Sequence, residues 1–152
     1  RNGLLGAIAP VESSSVVINS TNGIELIQAL ISTKESKGGS LVQVVPEYHK
    51  LKDKYQLMMD QPDCAPYLKT AAVLGAYTDQ SISANTFYSP KHFVDGKIPV
   101  TLVAKNLMNY WKWGGKTIYY SLVEKMGSKA QLDDVELPPE IIEDADCEAC
   151  VL

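Results

Sequence analysis

Two cysteines stand near the end of the chain in the stretch Cys147-Glu148-Ala149-Cys150. Thiols at this spacing can close a small disulfide ring and take part in thiol–disulfide exchange. A cysteine pair can also supply half of a zinc site, but there is no second pair, and His49 and His92 are isolated, so no metal is expected. The acidic neighbours disfavour the thiolate, which argues against a low-pKa nucleophile. The plain alternative is two exposed thiols without a function. A second candidate is Tyr119-Tyr120. Paired phenols can relay an electron together with its proton, although a tyrosine pair after Gly114-Gly115 is also ordinary strand composition. A third is Pro10-Val11-Glu12-Ser13-Ser14-Ser15. A strand end followed by hydroxyls at a helix N-terminus presents free N–H groups and a favourable dipole to a phosphate, with Glu12 beside the anion. The same residues also make a capped helix with no ligand.

The elements that must position these groups follow from periodicity and turn chemistry. Residues 3–10 (GLLGAIAP) form a continuous apolar run, which predicts a strand buried on both faces, as in a parallel sheet. A short helix with a hydroxyl N-cap should follow over Val16-Val17-Ile18, then a turn at residues 19–23 (NSTNG). Residues 29–33 and 41–45 read as a hairpin joined by Ser36-Lys37-Gly38-Gly39. Helical period predicts helices over residues 48–59, 67–77 and 100–113. The last should carry Leu102-Val103, Leu107 and Tyr110-Trp111 on one broad stripe and stop at Gly114-Gly115. Residues 81–87 and 117–122 complete the set as strands, and Cys64 reads as structural.

From about Met126 the pattern collapses. Residues 128–152 carry eight acids against one lysine, a net of −7, which leaves +3 on the rest of a chain whose total is −4. Low hydrophobicity, acidic charge and Pro138-Pro139 predict a disordered tail over 126–152, after a folded unit over 1–125. A near-neutral body with an acidic tail argues against nucleic-acid binding. No apolar run approaches the roughly 20 residues that span a bilayer, and the opening residues lack the pattern of a secretory leader. Three cysteines do not make a disulfide scaffold, so a cytoplasmic setting is expected. Strands interleaved with helices place the chain in the α/β class. A lone doubly buried strand at its start needs neighbours that few segments here could provide, which suggests that another polypeptide segment supplies them.

The stretches PVESSS, NSTNGIE, QVVPEY, DQSISANTFY, GKIP, GGKTIYY and CEAC, in this order, resemble the C-terminal region of the large subunit of class I ribonucleotide reductases. The resemblance covers nearly the whole chain, and DQSISANT with GGKTIYY is its most specific part. It implies the C-terminal part of a ten-stranded α/β barrel around a ribonucleoside diphosphate. By resemblance, Glu12, Ser13, Ser14 and Ser15 hold the substrate's diphosphate, and Tyr119 and Tyr120 form the last radical relay from the small subunit. The helix over residues 100–113 would help dock that subunit, whose metal–tyrosyl centre supplies the radical. Cys147 and Cys150 would re-reduce the active-site disulfide and then exchange with thioredoxin or glutaredoxin. The chain itself would carry no cofactor. The family's radical cysteine and reducible pair match nothing here, so the N-terminal part of the large subunit is an expected partner, in a split or excised subunit. A non-catalytic module that binds the small subunit is the alternative.

The dithiol assignment has a specific consequence. Cys147→Ser or Cys150→Ser is expected to block repeated turnover with thioredoxin as reductant, yet leave a single turnover of pre-reduced enzyme intact. Rapid-quench measurement of deoxynucleotide formation distinguishes the two regimes. Equal loss in both would contradict a shuttle.

Overall fold

The computed structural model describes residues 3–36 and 39–125. The predicted acidic tail, with Cys147 and Cys150, lies outside these residues, as does the centre of the hairpin turn. The described elements are helix α1 (Glu12–Val17), strands β1 (Ile31–Ser36) and β2 (Gly39–Val44), and the one-turn helix α2 (Tyr48–Leu51). Helix α3 (Ala65–Gly75), strand β3 (Ala84–Tyr88), helix α4 (Val100–Lys112) and strand β4 (Ile118–Val123) follow.

The strands make two small sheets. β1 and β2 form the predicted hairpin, antiparallel from Ile31 opposite Val44 to Ser36 opposite Gly39. β3 and β4 are parallel neighbours joined through α4, a β–α–β unit of the sort that builds α/β folds. Their register changes once: Ala84 faces Ile118 but Thr86 faces Ser121, so β4 carries one extra residue. On the other edge of β3's approach, Ile8 makes a parallel bridge to Ile82.

The core lies where α3 and α4 cover β3. Helix α3 turns Tyr67, Leu68, Ala71, Ala72 and Gly75 inward, the spacing of a single helical face. Pro66 suits its first turn, where a missing N–H costs nothing. Asp63, which follows the helix-breaking Pro62, accepts the Ala65 N–H at 3.0 Å and the Asn106 side-chain N–H at 2.7 Å, so one carboxylate starts α3 and ties it to α4. Cys64 is fully buried beneath Asn106, and burial pushes its thiol above the ordinary value. It is a packing residue, as expected. All five residues of β3 are buried.

Helix α4 ends as its two glycines dictate. Gly114 takes a positive φ of 92°, and the N–H groups of Gly114 and Gly115 return to the carbonyls of Trp111 and Tyr110. A Cβ on Gly115 would collide with the Tyr110 ring.

Four expectations are corrected. Residues 3–10 do not form a doubly buried strand: Leu4 and Leu5 are exposed, and only Ile8 joins a ladder, because β3 alone among the described strands lies beside this segment. The α1 serines do not cap; Val11 is the N-cap residue and the serines lie within the helix. The helix expected over residues 48–59 passes after one α-turn into a 3-10 turn over Lys52–Lys54 and ends at the extended Tyr55. Burial of Met58, whose N–H donates to the Ile27 carbonyl at 2.8 Å, and a 2.7 Å bond from the Tyr55 hydroxyl to the Pro46 carbonyl outweigh local helical preference. The α4 stripe divides: Leu102, Val103, Asn106 and Tyr110 face the core, whereas Leu107 and Trp111 point to solvent.

The Gly115 contact is testable. Gly115→Ala is expected to cost about 1–3 kcal/mol by overpacking against Tyr110, read as a lowered urea midpoint. An unchanged midpoint would contradict the tight approach.

Candidate functional site

Two of the expected site residues, Tyr119 and Tyr120, lie in β4. The rings of Tyr119 and Tyr120 lie 4.0 Å apart, tilted by 49°, and both are partly open to solvent. The neighbouring Tyr120 hydroxyl raises Tyr119 above the ordinary phenol value, with burial and then Glu12 adding less. Ser13 and Ser14 are exposed, while Ser15 is fully buried and its hydroxyl donates to the Glu12 carbonyl at 3.1 Å.

The segment after α1 holds this loop in place. Asn19 and Gly23 take positive φ values, which the Asn-rich turn tolerates. That turn brings the Asn22 side-chain oxygen to the Val11 N–H at 2.6 Å, so Asn22 satisfies the helix entrance that the serines leave open. A narrow crevice lined by Pro10, Asn22, Glu25, Ser83, Asn85 and Tyr119 joins four of the stretches singled out above. Beside it, sharing Asn22 and Glu25, opens a cavity of about 460 Å³ whose wall includes Glu12, Ser32, Gln43 and Tyr55.

The crevice is floored by a hydrogen-bond network. The buried Asn85 side chain accepts the Tyr120 backbone N–H at 2.8 Å through Oδ1 and donates to Glu25 through Nδ2. The Asn85 backbone N–H donates to the Tyr67 hydroxyl at 3.4 Å. Burial raises the Glu25 carboxyl, with the Asn85 bond partly offsetting it, and burial pushes Tyr67 up to about 12.

A second set of bonds fixes the strands that carry this network. Lys116, just before β4, donates to the carbonyls of Thr78 at 2.6 Å and Gln80 at 3.2 Å. The Asp79 carboxylate accepts the N–H groups of Leu5 at 2.8 Å and Gly6 at 3.1 Å. The DQSISANT and GGKTIYY stretches thus touch each other, and together they secure the approach to α1.

Residues 1–56 and 46–121 match the family model for the ribonucleotide reductase barrel domain. The chain belongs to the ribonucleotide reductase barrel-domain family. It is similar to the ribonucleoside-diphosphate reductase subunit alpha of Haemophilus influenzae (48% identical over 79% of this chain and 16% of the relative). A similar protein from Buchnera aphidicola subsp. Baizongia pistaciae is 45% identical over 90% of this chain and 18% of the relative. Subunit alpha of ribonucleoside-diphosphate reductase 1 from Salmonella typhimurium is 43% identical over 98% of this chain and 19% of the relative. The chain therefore spans less than a fifth of the length of these relatives. The parallel β3–β4 unit suits part of an α/β barrel domain. No helix among the described residues is long and apolar enough to cross a membrane.

In this reductase-family chain, Pro10 and Tyr119 line one crevice, whereas Cys147 and Cys150 fall outside the described residues. Sequence reasoning gave no role to Asn22, Glu25, Asn85, Asp79 or Lys116. Their signal was present, since each lies in a stretch that carries the family resemblance, but their partners are distant in sequence.

The raised Glu25 carboxyl has a definite sign. Its folded form favours the proton, so the associated stability is complete below the ordinary 4.5 and is lost as pH rises through the folded value. Glu25→Gln keeps an acceptor for Asn85 and removes the charge. This variant is expected to melt above the parent at neutral pH, with the gap closing in acid below 4.5. A lower melting temperature at neutral pH would contradict burial as the dominant cause.

Proposed function

We propose that this chain contributes the C-terminal part of the catalytic barrel of a class I ribonucleoside-diphosphate reductase large subunit. In this reading the complete enzyme converts ribonucleoside diphosphates to deoxyribonucleoside diphosphates. The observation that carries it is the close tyrosine pair, 4.0 Å between ring centres, on a crevice that Pro10, at the entrance to α1, also lines.

Each residue then has a task. Tyr119 and Tyr120 pass an electron and a proton between the small subunit and the radical cysteine of the barrel. The Glu12–Ser15 turn receives the substrate's diphosphate, where unpaired first-turn N–H groups and the local dipole favour an anion. Loss of the 2′-hydroxyl as water consumes two electrons, which come from a dithiol that becomes a disulfide. Cys147 and Cys150 return those electrons by exchange, become a disulfide themselves, and are reduced in turn by thioredoxin or glutaredoxin. The reducible pair and the radical cysteine belong to a segment outside this chain, for Cys64 is fully buried under Asn106. The small subunit supplies the radical from its own metal–tyrosyl centre. Such an enzyme works in the cytoplasm, where thioredoxin keeps thiols reduced.

One observation favours a second reading, a non-catalytic module for the small subunit. The outer side of α4 leaves Val100, Leu107, Met108 and Trp111 exposed, an apolar face suited to a partner. Both readings can use this face, but only the first needs the phenols.

In reductase assembled with the small subunit, Tyr119→Phe or Tyr120→Phe is expected to reduce deoxynucleotide formation by at least about a hundredfold, including the first pre-reduced turnover. Small-subunit affinity should be unchanged. Variants that retain activity would overturn the relay and leave the docking module.

A further inference from the structure

Adjacent residues of a regular strand point to opposite faces. Tyr119 and Tyr120 are adjacent in β4, yet their rings lie 4.0 Å apart. The register of the β3–β4 ladder explains how. Ala84 pairs with Ile118 and Thr86 with Ser121, so the single residue Asn85 stands opposite two, Tyr119 and Tyr120. This is a bulge, a device that leaves a backbone group out of the ladder and re-aims the side chains of the bulged strand.

The group left without a strand partner must be satisfied in another way, since an unbonded amide at a partly buried position is costly. The Tyr120 N–H meets the Asn85 Oδ1 at 2.8 Å. A side chain thus takes the place of the missing ladder carbonyl. Asn85 is itself held: it is buried, its Nδ2 donates to Glu25, and its backbone N–H donates to the Tyr67 hydroxyl at 3.4 Å. Glu25 also fixes which way the amide faces. A Glu25 carboxyl oxygen accepts from the NH₂ end, which leaves the amide oxygen for Tyr120. Beyond the bulge, the hydroxyls of Thr86 and Ser121 lie 2.7 Å apart and lock the shifted register.

We infer that Asn85 is a positioning residue for the tyrosine pair: oriented by Glu25, it holds the β4 bulge that brings both phenol rings to one side of the strand. Its functional consequence rests on the relay reading above. Few side chains meet the requirement. Leucine has no acceptor, and aspartate opposes Glu25. An Asn85→Asp/Glu25→Gln double variant satisfies it again by exchanging the two partners. The amide now on the Glu25 side donates, and the carboxylate now on the Asn85 side accepts from it and from Tyr120.

The test uses the large subunit that carries this chain, with its small subunit, and two readouts. One is deoxynucleotide formation. The other is dityrosine formation under a photochemical one-electron oxidant, seen as loss of two hydrogen atoms from the Thr117–Lys125 tryptic peptide, whose only tyrosines are Tyr119 and Tyr120. Asn85→Leu is expected to lower both by at least about tenfold, the scale of a misplaced reacting group. The Asn85→Asp/Glu25→Gln exchange should return both to within about threefold of the parent, which general loss of folding would not allow. Parental dityrosine yield in Asn85→Leu, or an exchange variant as impaired as Asn85→Leu, would overturn the inference. Activity retained in Tyr119→Phe would instead remove the relay reading, while the dityrosine yield would still test Asn85 by itself.

Discussion

A strand buried along its whole length must satisfy its hydrogen-bonding edges with other strands, and β3 is such a strand. All five of its residues are buried, so its backbone groups have no recourse to water. β4 pairs along one edge, and the Ile8 bridge touches the approach on the other. That requirement draws the start of the chain and its last described strand to the same place. The Asp79 and Lys116 bonds hold them there, each using a charged group to fix backbone that would otherwise be loose. The crevice that Pro10 shares with Tyr119 follows from it.

Rigidity in this core supports local departures from regular structure at the site. The ladder is broken by one residue, Glu25 is held where burial opposes its charge, and two phenols sit partly exposed. Each departure is unfavourable on its own, and departures of this sort gather where function requires them. At the bulge, the Asn85 oxygen takes the Tyr120 N–H that the ladder leaves over. The junction of α3 with α4 shows the contrast: Asp63, Cys64 and Asn106 link the two helices by ordinary packing and side-chain bonding.

Much of this was legible in the sequence wherever the cause is local. Ser36-Lys37-Gly38-Gly39 marked the hairpin; period and the Gly114-Gly115 stop marked α4; period also marked α3, two residues late at each end. Legibility failed where the decisive partner is remote. Nothing near Met58 shows that its N–H belongs to Ile27, and the stripe on α4 could not say that Leu107 would stay outside. The same holds for the site. Tyr119-Tyr120 and the Glu12–Ser15 stretch were identifiable as residue types, but the bulge that aligns the tyrosines depends on a bond across 35 residues of chain. Periodicity sees only near neighbours in sequence.

The alignment of the phenols turns on one donor and one acceptor, the Tyr120 N–H and the Asn85 oxygen. Hydrogen exchange at the Tyr120 amide, resolved by fragmentation of deuterated peptides, measures that bond directly. The bond requires this amide to exchange as slowly as the ladder amides of β3, although the tyrosine side chain is open to solvent. Exchange at the rate of an unpaired strand edge would show that Asn85 does not hold β4, and the aligned phenols would need another cause.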